Sequence, residues 1–430
     1  MKKLIWFIPL IILGALFILR TPQQKIVKAS DYEFYLSPEH LADAQKTLDA
    51  EISFWEQKLV KAPNNHVYQK KIAGLFARRF KETGSIEALH QSDSLLHLVN
   101  NRIPNQVGVL HSLASNAITQ HQFREAEQYL KEALAVGEKK FISTLLLTDV
   151  QLERGQRSNA QQNLKEIASA QHFDYLIRAM KFEDEVDNLD GAIKYMEQAA
   201  AKAEKTGNAA TLNWSYSNLA DMYGHAGRIQ KSYETYLKAL NYNPADLHSL
   251  KGIAWVAFSH DHNISEAKRI LKNLKEIHPI PDYDLLLSEI AIYEQKTEEA
   301  KAYETAFVQQ ASNPLYGKMY QTYLAELDAK STQATIMAQA EVADRPHPVL
   351  YDLLAWTAFQ NGNTQAAVDL LEKHVLEQTG EPIAAYHAGI VFKANGQKKE
   401  AKKYLKQAKE AAFELGPVLS QEVNKALQEL

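Results

Sequence analysis

The sequence contains no cysteine, and this absence excludes several kinds of chemistry. A chain without cysteine forms no disulfide, holds no metal through a thiolate, has no cysteine nucleophile and has no acylated lipoprotein cysteine. The compartment stays open on this evidence, since such a chain is compatible with both reducing and oxidising surroundings.

Glycine and proline are also sparse, with 17 and 13 residues in a chain of 430. The few Asn-Gly and Asp-Gly pairs do not separate alternating apolar runs, so hairpin signals are missing and the sequence predicts an all-α fold. A chain of this length exceeds the roughly 250–300 residues that one hydrophobic core accommodates. We therefore expect internal repetition or several domains.

Charge of either sign shows no strong excess, because 48 Lys and Arg face 52 Asp and Glu along the whole chain. This balance offers no basic surface for nucleic acid. Motifs for nucleophilic hydrolysis, zinc proteolysis, phosphate binding or dinucleotide binding do not occur in a supporting context. The sequence therefore predicts a non-enzymatic protein without cofactors or metals. His260, Asp261 and His262 resemble half of a metal site, but a third ligand is missing and solvated side chains are the preferred interpretation.

The N-terminus carries the one long apolar run. Lys2 and Lys3 precede residues 4–19, which have no polar side chain and end at Arg20. As a helix this run rises about 24 Å, slightly less than a hydrocarbon core of ~30 Å. Since a cleavage signal is poorly developed, we expect residues 1–20 to be an uncleaved membrane anchor with the remaining chain outside the cytoplasm, in the periplasm. Cleavage followed by secretion, or a buried cytosolic helix, are the alternatives.

A repeat is clearest in residues 213–244, which read NWSYSNLADMYGHAGRIQKSYETYLKALNYNP. Counting from Asn213, small residues stand at positions 8 (Ala220) and 20 (Ser232), where two helices of one unit can approach closely. Larger apolar residues at positions 4, 7, 11 and 24 fill the seam, and Pro244 at position 32 stops the second helix. This pattern resembles the tetratricopeptide repeat. The resemblance implies a right-handed superhelical solenoid of antiparallel helix pairs.

The same spacing recurs along the chain and predicts about ten units between residues 66 and 414. We expect a linker over residues 21–37, a leading helix over 38–65 and a capping helix over 418–430. The units span residues 66–104, 107–138, 141–172, 173–204, 213–244, 247–279, 281–312, 315–346, 348–379 and 382–414.

In the family that the repeat resembles, positions 2, 5, 9, 12 and 13 of the first helix line a concave groove. Transferred to this sequence, those positions give two matching pairs, Trp255/Phe258 and Trp356/Phe359, which would each present an aromatic surface. The alternative is that these rings pack as repeat core. The N-terminal half would be acidic, unless its carboxylates are merely solvated. The candidates are Trp214, Trp255, Phe258, Tyr293, Tyr316, Tyr323, Trp356, Phe359, Tyr386, Asp149 and Asp221.

The sequence thus predicts a membrane-tethered scaffold or adaptor that binds a protein or peptide in the groove. The alternative is a subunit of a secretion or envelope-assembly complex that recognises helical or unfolded cargo. Chaperone-binding members of the family use lysine at position 5 with asparagine at position 9, a combination that no unit of this chain carries. Glu183 stands at position 11, which is usually apolar, so we expect it to be exposed or paired rather than catalytic.

Overall fold

The computed structural model describes residues 25–169 and 171–430, in which regular secondary structure is helical throughout. The first half contains α1 (Ala29–Tyr32), α2 (Pro38–Lys61), α3 (His66–Thr83), α4 (Ile86–Arg102), α5 (Val107–Thr119), α6 (Phe123–Val136), α7 (Lys140–Glu153), α8 (Arg157–Glu166), α9 (Phe173–Glu185), α10 (Leu189–Thr206), α11 (Ala209–His225) and α12 (Ile229–Tyr242). The second half contains α13 (Leu247–Trp255), α14 (Ile264–Ile277), α15 (Asp282–Tyr293), α16 (Thr297–Ala311), α17 (Gln321–Leu327), α18 (Thr332–Asp344), α19 (Pro348–Gln360), α20 (Thr364–His374), α21 (Pro382–Ala394), α22 (Lys398–Glu410) and α23 (Ala412–Gln428).

The helices from α3 to α22 form ten consecutive pairs that follow the ten expected units in order. Three helices extend past the expected bounds, since α7 begins at Lys140, α10 ends at Thr206 and α11 begins at Ala209. Local signals set the ends of these helices. In the pair α11 and α12, the side chain of Asn208 accepts a hydrogen bond of 2.9 Å from the amide of Thr211 and so caps the first helix. Gly227 then turns the chain with φ of 68°, a left-handed conformation that favours glycine.

Small residues at position 20 hold the two helices of each pair together. In the nine units after the first, this position is no more than 4% exposed. A longer side chain here would push the helices apart, because a close-packed interior has no spare volume. The residues are Ala126, Ala160, Ala192, Ser232, Ala267, Ala300, Ala334, Ala367 and Ala401.

Two units depart from the regular pair. In residues 247–279, α13 continues into a π-helical turn over Val256–His260, which accommodates the residue inserted in this unit. In residues 315–346, the weakest match in the sequence, a 3₁₀ turn over Pro314–Tyr316 precedes α17, which has only 7 residues.

Residues 25–36, here called the docked segment, are packed against the solenoid although the sequence predicted a linker over 21–37. Tyr32 is fully buried, and Val27 and Leu36 lie in the same core cluster as α12, α14 and α15. The carboxylate of Asp261 accepts hydrogen bonds from the amides of Ile26 (3.0 Å) and Val27 (2.8 Å). The linker prediction was therefore wrong for this part. The three buried apolar side chains are widely spaced and show no helical period, so their pattern does not indicate docking.

The predicted anchor over residues 4–19 lies outside the described residues. Within residues 25–169 and 171–430, no helix is both long enough and apolar enough to cross a membrane.

Contacts between distant units close the solenoid on itself. His90 Nε2 lies 2.7 Å from the carbonyl oxygen of Leu315, and His347 Nε2 lies 2.8 Å from Oε1 of Glu185. Arg124 likewise forms an ion pair of 2.5 Å with Asp344. These pairs are more than 160 residues apart in the chain, so the N-terminal and C-terminal halves face each other across a shared interior.

Candidate protein-binding groove

The first helices of the units form the inner wall of the solenoid. Most of them contact the first helix of the next unit, as α7 does with α9 and α19 with α21. Consecutive second helices do not approach as closely within the described residues, so they lie on the outer, wider side. The inner face is therefore concave and consists of α5, α7, α9, α11, α13, α15, α17, α19 and α21.

An apolar cavity of about 290 Å³ opens on this face between α11, α13 and α15. Its wall is mostly hydrophobic and includes a few polar side chains, as in sites where a few polar groups orient an apolar ligand. The large apolar side chains that line it are Trp255, Leu285, Leu286, Phe307, Tyr320, Tyr323 and Phe413.

Trp255 and Phe258 do not form the shared aromatic surface that their spacing predicted. Trp255 is half-buried and lines the apolar cavity, where its indole Nε1 donates a hydrogen bond of 3.1 Å to the carbonyl oxygen of Phe413. Phe258 is 2% exposed and packs edge-on against Tyr293, with ring centroids 5.7 Å apart. Phe258 is thus a core residue, because the π-helical turn that contains it changes the angular register after Trp255.

The second aromatic pair lies away from the apolar cavity. Trp356 is half-buried and stacks on the ring of His387 with centroids 4.0 Å apart, and Phe359 packs in the same core cluster. Tyr386 is buried, and its hydroxyl donates a hydrogen bond to Glu422 of α23. Core packing is therefore the better interpretation for Phe359 and Tyr386.

The remaining aromatic candidates occupy three different surroundings. Trp214 is 38% exposed, packs edge-on against Phe173 and lines neither cavity. Tyr316 is buried against Ile86 of α4, so it joins the two halves. Tyr323 is 49% exposed and lines the apolar cavity as well as the larger cavity beside it.

That larger cavity, here called the charged cavity, measures about 590 Å³ and separates α7 and α9 from α17, α19 and α21. The carboxylate of Asp149 accepts hydrogen bonds from Arg178 (2.7 Å) and Lys181 (2.9 Å). Burial and the guanidinium of Arg345 lower the pKa of His121 to about 4, so this imidazole is neutral at pH 7. The N-terminal wall is therefore not simply acidic, because arginine and lysine neutralise its most buried carboxylate.

The wall formed by the C-terminal half carries two carboxylates, those of Glu326 and Asp352, beside the guanidinium of Arg345. Asp352 is 2% exposed, its Oδ2 lies 2.8 Å from Nδ1 of His387, and its Oδ1 has no hydrogen-bond partner in the described chain. Burial also raises the pKa of Glu326. A buried carboxylate oxygen without a donor is unfavourable, so Oδ1 of Asp352 favours a partner that supplies a donor.

Two other polar candidates are satisfied within the fold. The carboxylate of Asp221 accepts hydrogen bonds from the hydroxyl of Tyr236 and from His248, whose Nε2 lies 2.8 Å away. Glu183 accepts a hydrogen bond of 2.5 Å from Asn188 Nδ2, which identifies the group paired with this carboxylate.

The His260-Asp261-His262 sequence has a structural role, since Asp261 binds the docked segment. The described residues contain no group of three or more histidine, cysteine or acidic side chains that could hold a metal ion.

Two groove residues, Phe413 and Glu414, could not be found from the repeat positions. Phe413 and Glu414 lie beyond α22, yet they reach the apolar cavity between α11 and α15. Glu289 stands at position 9 of its unit, and burial raises its pKa to about 7, while its Oε1 has no hydrogen-bond partner among the described residues. The sequence offered one indication of Glu289, namely that it stands at repeat position 9, as Trp255 does in the preceding unit.

Family models described as tetratricopeptide repeat match residues 108–141, 215–246 and 384–414. These segments nearly coincide with the units at 107–138, 213–244 and 382–414. No curated protein matches the sequence of the chain.

Solved structures with a similar fold include yeast Tom70, at 13% identity over 94% of this chain and 95% of that chain, with a TM-score of 0.35. A tetratricopeptide repeat protein from Parabacteroides merdae has 15% identity, covers 60% of this chain and 97% of its own, and has a TM-score of 0.35. The human IFIT1 dimer with m7Gppp-AAAA has 12% identity, 77% coverage of both chains and a TM-score of 0.45. All three TM-scores are below 0.5, so these likenesses carry no argument about function.

The repeat assignment therefore rests on the three family matches and on the helix pairs with small residues at their seams. Together they show that the chain contains tetratricopeptide repeats.

Proposed function

We propose that this chain is a non-enzymatic scaffold that binds a segment of another protein in the groove formed by its first helices. The observation that carries the proposal is the apolar cavity on the inner face, with Trp255, Leu286 and Phe307 in its wall. Aromatic and aliphatic side chains in a concave site bury a large area of a partner at low entropic cost. Tetratricopeptide repeats are in general modules for protein interaction, which agrees with this use of the face.

The two cavities favour an extended or helical segment over a small molecule. Tyr323 lines both of them, so the apolar cavity and the charged cavity adjoin along the inner wall. A segment with apolar side chains on one part and basic or amide side chains on another would satisfy both surfaces. A groove of this kind would also suit a subunit of a secretion or envelope-assembly complex that recognises helical or unfolded cargo, which is the second candidate role.

We also propose that the solenoid is tethered to a membrane and lies outside the cytoplasm. The apolar run over residues 4–19, between basic residues at both ends, supports an anchor. The docked segment is consistent with a short tether, because residues 25–36 pack on the unit at 247–279 and only a few residues separate them from the proposed anchor.

The experiment is affinity capture of partners in mild detergent, followed by mass spectrometry, with two groove variants and one control. Trp255→Ala removes an aromatic wall residue, and Leu286→Asp places a charge in the apolar cavity. Trp214→Ala is the matched control, since it removes an exposed tryptophan that lines neither cavity. We expect the partner to be lost in both groove variants and kept in the control. Retention of the partner by both folded groove variants would contradict the proposal.

Topology has its own test, a pair of reporters fused after residue 430. We expect activity from a reporter that works only outside the cytoplasm. Activity from a cytoplasmic reporter alone would overturn the outward orientation and leave the groove proposal intact.

A further inference from the structure

The chain places a short part of itself in its own groove. Residues 411–416, here called the C-terminal turn, connect α22 to the straight part of α23 and lie across α11, α13 and α15. The carbonyl oxygen of Phe413 accepts two hydrogen bonds, from Trp255 Nε1 at 3.1 Å and from the hydroxyl of Ser259 at 2.6 Å. These contacts join residues more than 150 positions apart, so they are not part of ordinary packing between neighbouring repeats.

The side chains of the C-terminal turn also fit the groove. The ring of Phe413 lies against Gly224 so closely that a Cβ at this glycine would stand 3.1 Å from ring atom Cε1. Glu414 Oε2 lies 3.0 Å from Nδ1 of His225. That hydrogen bond is the largest cause that raises the pKa of His225, to about 9, and the nearby carboxylates of Asp184 and Asp221 act in the same direction.

Gly416 makes this placement possible. Its φ of 77° and ψ of 170° break the helix, and Pro417 begins the next stretch. A Cβ at Gly416 would lie 2.6 Å from Oε1 of Glu289 and 2.8 Å from Trp255 Cη2. The turn therefore touches the groove through its backbone as well as its side chains, in the manner of a bound peptide.

Removal of the turn would leave a defined set of unsatisfied groups. Trp255 Nε1 and the hydroxyl of Ser259 would lose their acceptor, and His225 would lose its carboxylate. Lys251 also lines the apolar cavity and forms no ion pair with any described residue. A ligand for this vacant site would have to supply a backbone carbonyl, an aromatic ring for the surface at Gly224 and a carboxylate.

We propose that Phe413 and Glu414 occupy the groove in cis, and that the partner carries an aromatic residue followed by an acidic residue, which take their place. This inference rests on the proposed scaffold function and specifies the chemistry of its partner. Competition within one molecule lowers the apparent affinity for the partner in proportion to the fraction of molecules in which the turn is seated.

The test uses the full-length chain in detergent and a fluorescein-labelled peptide with the sequence of residues 409–418, KEAAFELGPV. Fluorescence anisotropy measures its binding to the wild type, to the double variant Phe413→Ala/Glu414→Gln, and to Glu410→Gln, a control at an exposed acidic residue outside the turn. We expect the double variant to bind at least about tenfold more tightly than the wild type and the control. In the double variant, Trp255→Ala should abolish binding, and a peptide with alanine at both motif positions should not compete.

Equal affinity of the wild type and the double variant would overturn the inference, as would equal competition by the alanine peptide. Circular dichroism and thermal unfolding establish that each variant is folded. If the double variant unfolds, the single variant Glu414→Gln replaces it, because this variant keeps the ring of Phe413 in place. Glu414→Gln must then bind the peptide more tightly than the control Glu410→Gln does. Should the peptide fail while a partner is still captured through Trp255 and Leu286, the scaffold function stands and this inference falls.

Discussion

Asp261 is predicted to hold the docked segment, and its replacement gives a measurable local effect. Its carboxylate has no solvent exposure and accepts hydrogen bonds from the amides of Ile26 and Val27. Hydrogen bonds to charged groups contribute about 1.5–3 kcal/mol each. Taking the lower value for both, Asp261→Ala weakens docking by roughly 3 kcal/mol, which corresponds to about a hundredfold more frequent opening.

Native-state hydrogen exchange at the amides of Ile26 and Val27 measures this opening directly. We expect their protection to fall about a hundredfold in Asp261→Ala and less in Asp261→Asn, which keeps one neutral acceptor. Glu298→Gln, at an exposed position in α16, should change neither amide. Unchanged protection in a folded Asp261→Ala variant would refute the reasoning and assign the docking to the burial of Tyr32 instead.

Three further predictions concern the groove. Phe258→Ala should lower the free energy of unfolding, measured by urea titration, by about 3–5 kcal/mol because the ring is buried. Trp255→Ala removes a half-buried ring and should lower it by clearly less. Equal losses would contradict the assignment of Phe258 to the core. Glu289→Gln should stabilise the protein by up to about 3 kcal/mol at pH 8.5 and should have no such effect at pH 4. The reason is that burial raises the pKa of Glu289 to about 7, so the ionised carboxylate destabilises the folded state as pH rises. A pH-independent effect would contradict this. The ion pair of His225 with Glu414 should stabilise the fold fully below pH 6.5 and lose its effect as pH rises toward 9, since folding raises the pKa of this histidine. His225→Gln should remove that part of the pH dependence of the free energy of unfolding. An unaltered pH dependence would count against the ion pair.

The helix pairs could be predicted because their signals are local. Ala126, Ala267 and the other small residues at position 20 mark each seam, and glycines such as Gly227 mark the turn between the two helices. These features act over one unit of the repeat, so a single sequence shows them. The docked segment was missed because its binding site on Asp261 is more than 230 residues away along the chain.

The candidate groove was predicted only in part. Position 9 placed Asp149, Lys181, Asp221, Trp255 and Tyr323 on the cavity walls. The prediction failed at position 12 of the unit at 247–279, since a π-helical turn rotates Phe258 into the core. Periodicity assumes a regular helix and gives no information about such a turn.

The contribution of the C-terminal turn also escaped prediction. Phe413 reaches the groove through contacts with residues more than 150 positions away, and the ion pairs of Arg124 with Asp344 and of His347 with Glu185 join parts of the chain that are similarly distant. No repeat position encodes contacts over such distances, so the sequence alone could not show which part of the groove is already occupied.

The measurement that tests the central claim most directly is lysine crosslinking in native membranes, read by mass spectrometry. Lys181 and Lys251 line the two cavities of the concave face, whereas Lys231 and Lys272 are exposed on second helices. The account predicts partner crosslinks at Lys181 or Lys251 that disappear in Leu286→Asp. Crosslinks confined to Lys231 and Lys272, and unaffected by that variant, would contradict it.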